Sequence, residues 1–255
     1  MLFHREKKRV RLTDAGRLLL ERSVKILSDL SRLKDDLASD QVALEGHYRI
    51  GSTHSLAARY VTAAWSKLQL AHPKLSTTIQ VLRSNEIAMR ASISEIDVGF
   101  CFGPIASPDI QSRVIGSEPF VLAVRRRHKI LKENRRSILK QVRELPCAAP
   151  RTYLAAGDFE HPELRRLSIR QNVDFVYQTY DIAIQRLLHS DSWALIPAWY
   201  VDRHHQEIAQ VDIPGWNAQA EILMVWNPSR ALGRALAQLS AGLTEEIQNQ
   251  MRVKR

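Results

Sequence analysis

Residues 46–102, GHYRIGSTHSLAARYVTAAWSKLQLAHPKLSTTIQVLRSNEIAMRASISEIDVGFCF, alternate between two hydrophobic periods, and that alternation decides the fold class. His47–Ser52 reads as a strand, Ser55 to about Ala71 as a helix stopped by Pro73, and Thr77–Leu82 as a second strand. Glu86–Ser94 then reads as a helix and the apolar run Val98–Phe102 as a buried strand. The pattern resumes at Phe120–Val124. It continues through helices near Ser137–Val142 and Pro162–Ile169, the strand Val173–Tyr177 and the helix Ile182–His189. Trp193–Ile196, Ile208–Val211 and Ile222–Trp226 read as strands, and Ala231–Gln250 as a long amphipathic closing helix. Repeated β-α-β units predict an α/β protein with mainly parallel sheets covered on both faces.

The first 45 residues have a different character. Five of the first eleven are Lys or Arg (Arg5, Lys7, Lys8, Arg9 and Arg11), against the single acid Glu6. Arg9 and Arg11 alternate with Val10 and Leu12, so a strand here would show guanidinium groups on one face and aliphatics on the other. Such an edge suits DNA phosphate contact; a solvated terminus with scattered charge fits the same composition. Thr13 is placed to cap a helix. Beyond it Leu19, Ser23, Ile26, Leu30, Leu33 and Leu37 follow at alternating steps of four and three, a heptad seam, with Leu20, Val24 and Leu27 beside it. A helix this apolar needs cover, from a partner helix in a dimer or tetramer or from its own domain.

Leu2-Phe3-His4-Arg5, the basic run, and Leu12-Thr13-Asp14-Ala15-Gly16 together resemble the wing and linker-helix start of LysR-type transcriptional regulators. The resemblance continues through Tyr48-Arg49-Ile50-Gly51, Glu95-Ile96-Asp97-Val98-Gly99, Glu118-Pro119-Phe120-Val121 and Trp193-Ala194-Leu195-Ile196-Pro197, in family order. It departs from the family pattern where Leu75 replaces a valine and where Glu95 or Ser94, Ser190 and Ser192 stand for glycines. It implies a wing remnant at 1–12 and a linker and dimerisation helix at 13–45. A two-lobed effector domain of the periplasmic-binding-protein type 2 would follow, with lobe 1 at 46–117 and 220–255 and lobe 2 at 118–219. The family's recognition helix precedes the wing, so the resemblance implies a chain without it, making weak or nonspecific contact with DNA.

In such a fold a small-molecule effector sits between the lobes at strand ends. Ser52, Thr53, His54 and Ser55 put three hydroxyls and an imidazole at a helix start. The free amides and helix dipole there favour an anion, although capping alone explains one hydroxyl. Ser84, Gly103 and Thr179 would face them, with Pro197 at the far lobe's edge.

Other classes fit poorly. None of the ten glycines sits in a nucleophile elbow, a phosphate loop or a dinucleotide fingerprint. His204-His205 with Glu207 lacks helical zinc spacing, so neither a metal nor another cofactor is expected, nor an enzyme. No apolar run reaches the roughly 18 residues of a membrane span, and no secretory signal is visible. Cys101 and Cys147 lie in apolar surroundings and read as reduced core residues of a cytoplasmic protein. A cytoplasmic or periplasmic solute-binding protein without DNA-binding activity is the alternative with the same fold. The net charge of +10 is uneven: Arg125 to Arg143 holds nine Lys or Arg and one acid, Glu133, with no aromatic to stack a base. A solvated face is the ordinary reading of that run. Attraction to DNA or to an acidic protomer surface is the second.

Overall fold

The computed structural model describes residues 1–6, 9–20, 22–23, 26, 44–105, 107–150, 161–169, 172–228 and 234–252. At the N-terminus β1 (Phe3–Glu6) pairs antiparallel with β2 (Arg9–Leu12), with Phe3 opposite Leu12 and Glu6 opposite Arg9. Thr13 then ties this hairpin to the helix α1, whose described run begins at 14. Its N–H donates to Leu2 O at 3.0 Å, its hydroxyl donates to Met1 O at 3.0 Å, and the same oxygen accepts Gly16 N at 3.0 Å. That last bond is the N-cap expected of Thr13. A Cβ on residue 16 would lie 2.1 Å from Leu2 O, so the close approach of hairpin and helix requires glycine there. Leu19 and Ile26 are helical and exposed; Leu30, Leu33 and Leu37 lie outside the described residues, as do Lys7 and Lys8.

The main sheet contains β3 (Gly46–Ser52), β4 (Leu75–Val81), β5 (Val98–Phe102), β6 (Gln111–Arg125), β7 (Pro146–Pro150), β8 (Asn172–Tyr177), β9 (Trp193–Pro197), β10 (Ile208–Gln210) and β11 (Gln219–Trp226). The order is β4-β3-β5-β11-β6-β9-β7-β8, with β10 beside β6. The β-α-β units at its two ends are parallel, as expected. The middle is antiparallel, so the sheet is mixed and not mainly parallel. The reason is that β6 carries the chain out of the first lobe and β11 brings it back, and a leaving and a returning strand side by side run in opposite directions. β6 pairs with β11 as far as Pro119 and with β9 from Phe120, which marks the crossing.

Side chains on successive strand positions enter different cores, as a period of two demands. In β6, Phe120, Leu122 and Val124 pack on one face, and Val121 and Ala123 on the other. In β11, Ile222 and Met224 join the core that contains Trp65, Leu239 and Leu243, whereas Leu223 and Val225 join Ile87 and Ile96. Each lobe is therefore a sheet covered on both faces. The helices are α2 (residues 54–71), α3 (Ser84–Ser92), α4 (Ile138–Glu144), α5 (Pro162–Arg166), α6 (Tyr180–Leu188), α7 (Ala198–Arg203) and α8 (Arg234–Arg252). Both cysteines are free and buried, as expected; burial pushes the Cys101 thiol up to about 12 and Cys147 higher still. No helix among the described residues is long and apolar enough to cross a membrane.

Candidate functional site

The β3–α2 turn and the starts of α6 and α7 meet across the two lobes. His54 Nδ1, in the first turn of α2, lies 3.5 Å from Asp181 Oδ2 in the first turn of α6. The pair is at ion-pair distance without hydrogen-bond geometry, and His54 Nδ1 is among the buried polar atoms that lack a hydrogen-bond partner. Thr53 Oγ1 is another, and so is the hydroxyl of Tyr200 on α7. Thr53 is the N-cap residue of α2 yet makes no side-chain cap bond, which leaves the first-turn amides open to another acceptor. Burial, reinforced by the Asp181 carboxylate, pushes the Tyr200 phenol up, so it stays a neutral donor.

One turn further on, α2 widens into a π-helical turn at Ala57–Val61. Such turns redirect side chains locally and recur at functional sites. Here the turn aims Arg59 and Tyr60 across the crossing strands. The Arg59 guanidinium carbon sits 5.0 Å from the Trp199 ring centroid, a cation–π contact between α2 and α7. Tyr60 donates to Glu118 Oε2 at 2.6 Å, with both residues buried. Burial, then the Glu118 carboxylate, pushes the Tyr60 phenol up to about 12. A chain of aromatic contacts runs from Phe102 to Tyr200. Phe102 and Phe120 meet edge-on at 5.4 Å, Phe120 and Tyr180 at 6.3 Å, and Tyr180 and Tyr200 at 5.3 Å.

The structure treats the expected site residues unequally. Thr53 and His54 lie at the β3–α2 turn, and His54 approaches Asp181 across the lobes. Ser52 is fully buried and donates to Thr53 O at 3.1 Å, and Ser55 is buried in the first turn of α2. Thr179 and Pro197 occupy the N-cap positions of α6 and α7, but the groups that reach across follow them in sequence, at Asp181 and Trp199. Gly103 closes β5, where its N–H donates to Glu221 O at 2.9 Å and an added Cβ would come within 3.0 Å of Leu223 Cδ1. Ser84 opens α3, and no hydrogen bond or ion pair among the described residues joins it to the crevice. Sequence reasoning missed Arg59, Tyr60, Asp181, Trp199 and Tyr200. Trp199 and Tyr200 follow Pro197 after Ala198, but neither that pair nor the π-turn that aims Arg59 was readable as part of a site. No group of three or more His, Cys, Asp or Glu among the described residues could hold a metal ion.

Residues 42–248 match the family model described as the LysR substrate binding domain. The chain belongs to the LysR family. It is 21% identical over 237 residues to the HTH-type transcriptional activator CmpR of Synechocystis sp., covering 91% of this chain and 76% of that protein. With the HTH-type transcriptional regulator YofA of Bacillus velezensis it shares 26% identity over 132 residues, 52% of this chain and 46% of that one. Among solved structures, full-length OxyR from Pseudomonas aeruginosa superposes with a TM-score of 0.71 at 14% identity, covering 97% of this chain and 82% of that one. The OxyR2 regulatory domain of Vibrio vulnificus gives 0.64 at 18%, covering 82% and 99%. At those identities the structures speak for the fold, which is the two-lobed periplasmic-binding-protein type. In this LysR-family chain, β6 and β11 are the segments that pass between the lobes.

Proposed function

We propose that this chain is the sensing part of a cytoplasmic LysR-type regulator, and that its effector is a small anion taken into the crevice at the first turn of α2. The observation that carries this reading is the His54–Asp181 approach beside the unbonded Thr53 hydroxyl. The α2 amides, the imidazole and the Arg59 guanidinium make one wall attractive to negative charge, and the Asp181 carboxylate already faces that wall as an internal counter-ion. An entering carboxylate or sulfate-like group replaces Asp181 there. Because Asp181 and Trp199 belong to the opposite lobe, that replacement changes what holds the lobes together. Only a difference in ligand affinity between two arrangements can shift the balance between them. The readout is a protomer arrangement set by the Leu19–Ile26–Leu30–Leu33–Leu37 seam in a dimer or tetramer. Arg5, Lys7, Lys8, Arg9 and Arg11 contact DNA phosphates without reading bases.

Thermal-shift screening of sulfate, phosphate and small carboxylates, followed by calorimetry, tests the crevice. Replacing Thr53 and His54 together with Ala is expected to abolish the binding found while the fold survives. Unchanged affinity in that double variant places the ligand elsewhere.

A further inference from the structure

The second lobe carries a charged surface that the crevice does not use. From Arg125 to Lys140 the chain leaves β6, turns through a 3-10 segment at Lys129–Lys132 and enters α4. The segment is pinned from below. Arg126 N donates to Glu207 O at 2.8 Å, and His128 N to Arg125 O at 2.9 Å. His128 is buried, and its Nδ1 accepts Ile130 N at 3.1 Å; Ile130 and Ile138 are buried as well. With these anchors turned inward, Arg126, Arg127, Lys129, Lys132, Arg135, Arg136 and Lys140 are exposed.

Few of these cations are neutralised. Arg125 pairs with Asp191 at 2.6 Å and Arg135 with Asp212 at 2.9 Å. Arg126, Arg127, Lys129, Lys132, Arg136 and Lys140 have no carboxylate at ion-pair distance among the described residues, although Glu133 and Asp191 lie within electrostatic reach of Lys129. Protein surfaces ordinarily intersperse both signs, so a fixed ridge of unpaired cations repels itself and is relieved by a polyanion. The segment has no aromatic residue to stack an unpaired base, which argues against single strands and for the outside of a duplex.

We infer that this ridge is a second, sequence-indifferent docking surface for the phosphate backbone of duplex DNA, separate from the β1–β2 hairpin. It lets the effector lobe itself hold DNA that passes along the oligomer.

The test uses the full chain and fluorescence anisotropy with a labelled random-sequence duplex over a salt series. Arg126→Gln/Arg127→Gln/Lys129→Gln is compared with the parent and with the hairpin variant Arg9→Gln/Arg11→Gln. Each phosphate contact contributes about 0.9 to the slope of log affinity against log salt, so losing three reduces it by about 2.7. Binding of the same anionic ligand in calorimetry should be unchanged, which separates failure of the ridge from failure of the crevice. A ridge variant with parental affinity and slope overturns the inference. So does tighter binding of the single strand than of the duplex, or an effect confined to oligomeric state, which would assign the ridge to an acidic protomer surface. If the triple variant fails to fold, Lys132→Gln/Arg136→Gln/Lys140→Gln applies the same criteria.

Discussion

Asp181→Asn is the sharpest probe of the crevice, because it removes one charge and little volume. His54 and Asp181 approach to 3.5 Å with side chains 40% and 50% exposed. A pair that wet contributes no more than about 1 kcal/mol to stability, so the variant should melt close to the parent. Its effect on an anion is larger. Two like charges about 4 Å apart repel by about 1 kcal/mol in water and about 4 kcal/mol at the effective dielectric of a protein surface. Half-exposed groups lie towards the water limit, so removing Asp181 should relieve about 1.4 kcal/mol, which is about tenfold in affinity. Calorimetry with sulfate and with a small monocarboxylate reads this directly, and the gain should shrink as salt rises. In a double-mutant cycle with His54→Ala the two effects should be non-additive. Weaker or unchanged anion binding by Asp181→Asn refutes the idea that this carboxylate stands in for the ligand.

Three further outcomes follow from other contacts. Tyr60→Phe removes a buried 2.6 Å bond to Glu118, and a hydrogen bond to a charged group contributes about 1.5–3 kcal/mol, so urea unfolding should show a loss of that size. A loss below about 0.5 kcal/mol would mean that Glu118's other interactions suffice. Gly99→Ala would push a Cβ to 2.3 Å from Ile87 Cγ2 and 2.8 Å from Val225 Cγ2, an overpacking that costs about 1–3 kcal/mol and should appear as a lower melting temperature with an unchanged fold. Burial holds the imidazoles of His128 and His161 below their ordinary range, with neighbouring charges and hydrogen bonds acting only secondarily. The unfolded chain therefore binds protons first. Their contribution to stability should be complete above about pH 6.5 and disappear as pH falls through the lower folded values. An unfolding series from pH 8 to 5 that is flat for the parent, or equally steep for His161→Gln, contradicts this.

The alternation of periods over residues 46–102 marks each element within that stretch to within about two residues, because a half-buried strand and a covered helix cannot exchange patterns. The Leu-Thr-Asp-Ala-Gly run was legible for a local reason too: Thr13 caps within three residues, and Gly16 meets Leu2 next to the same turn. Elements without such a pattern were not legible. β7, Pro-Cys-Ala-Ala-Pro, has little side-chain preference for a strand and owes its state to neighbours on both sides. The first half of β6, Gln111–Gly116, is largely exposed and is held by its ladder to β11. In the site, the helix start at Thr53-His54 was readable from capping chemistry. Its partners Asp181, Trp199 and Tyr200 were not, since they are more than 120 positions away and are brought there only by the crossing of β6 and β11. Composition and spacing describe what a segment can do alone. Which charge faces which across the lobes is decided by the sheet order, because only the tertiary fold pays the entropy of bringing distant segments together.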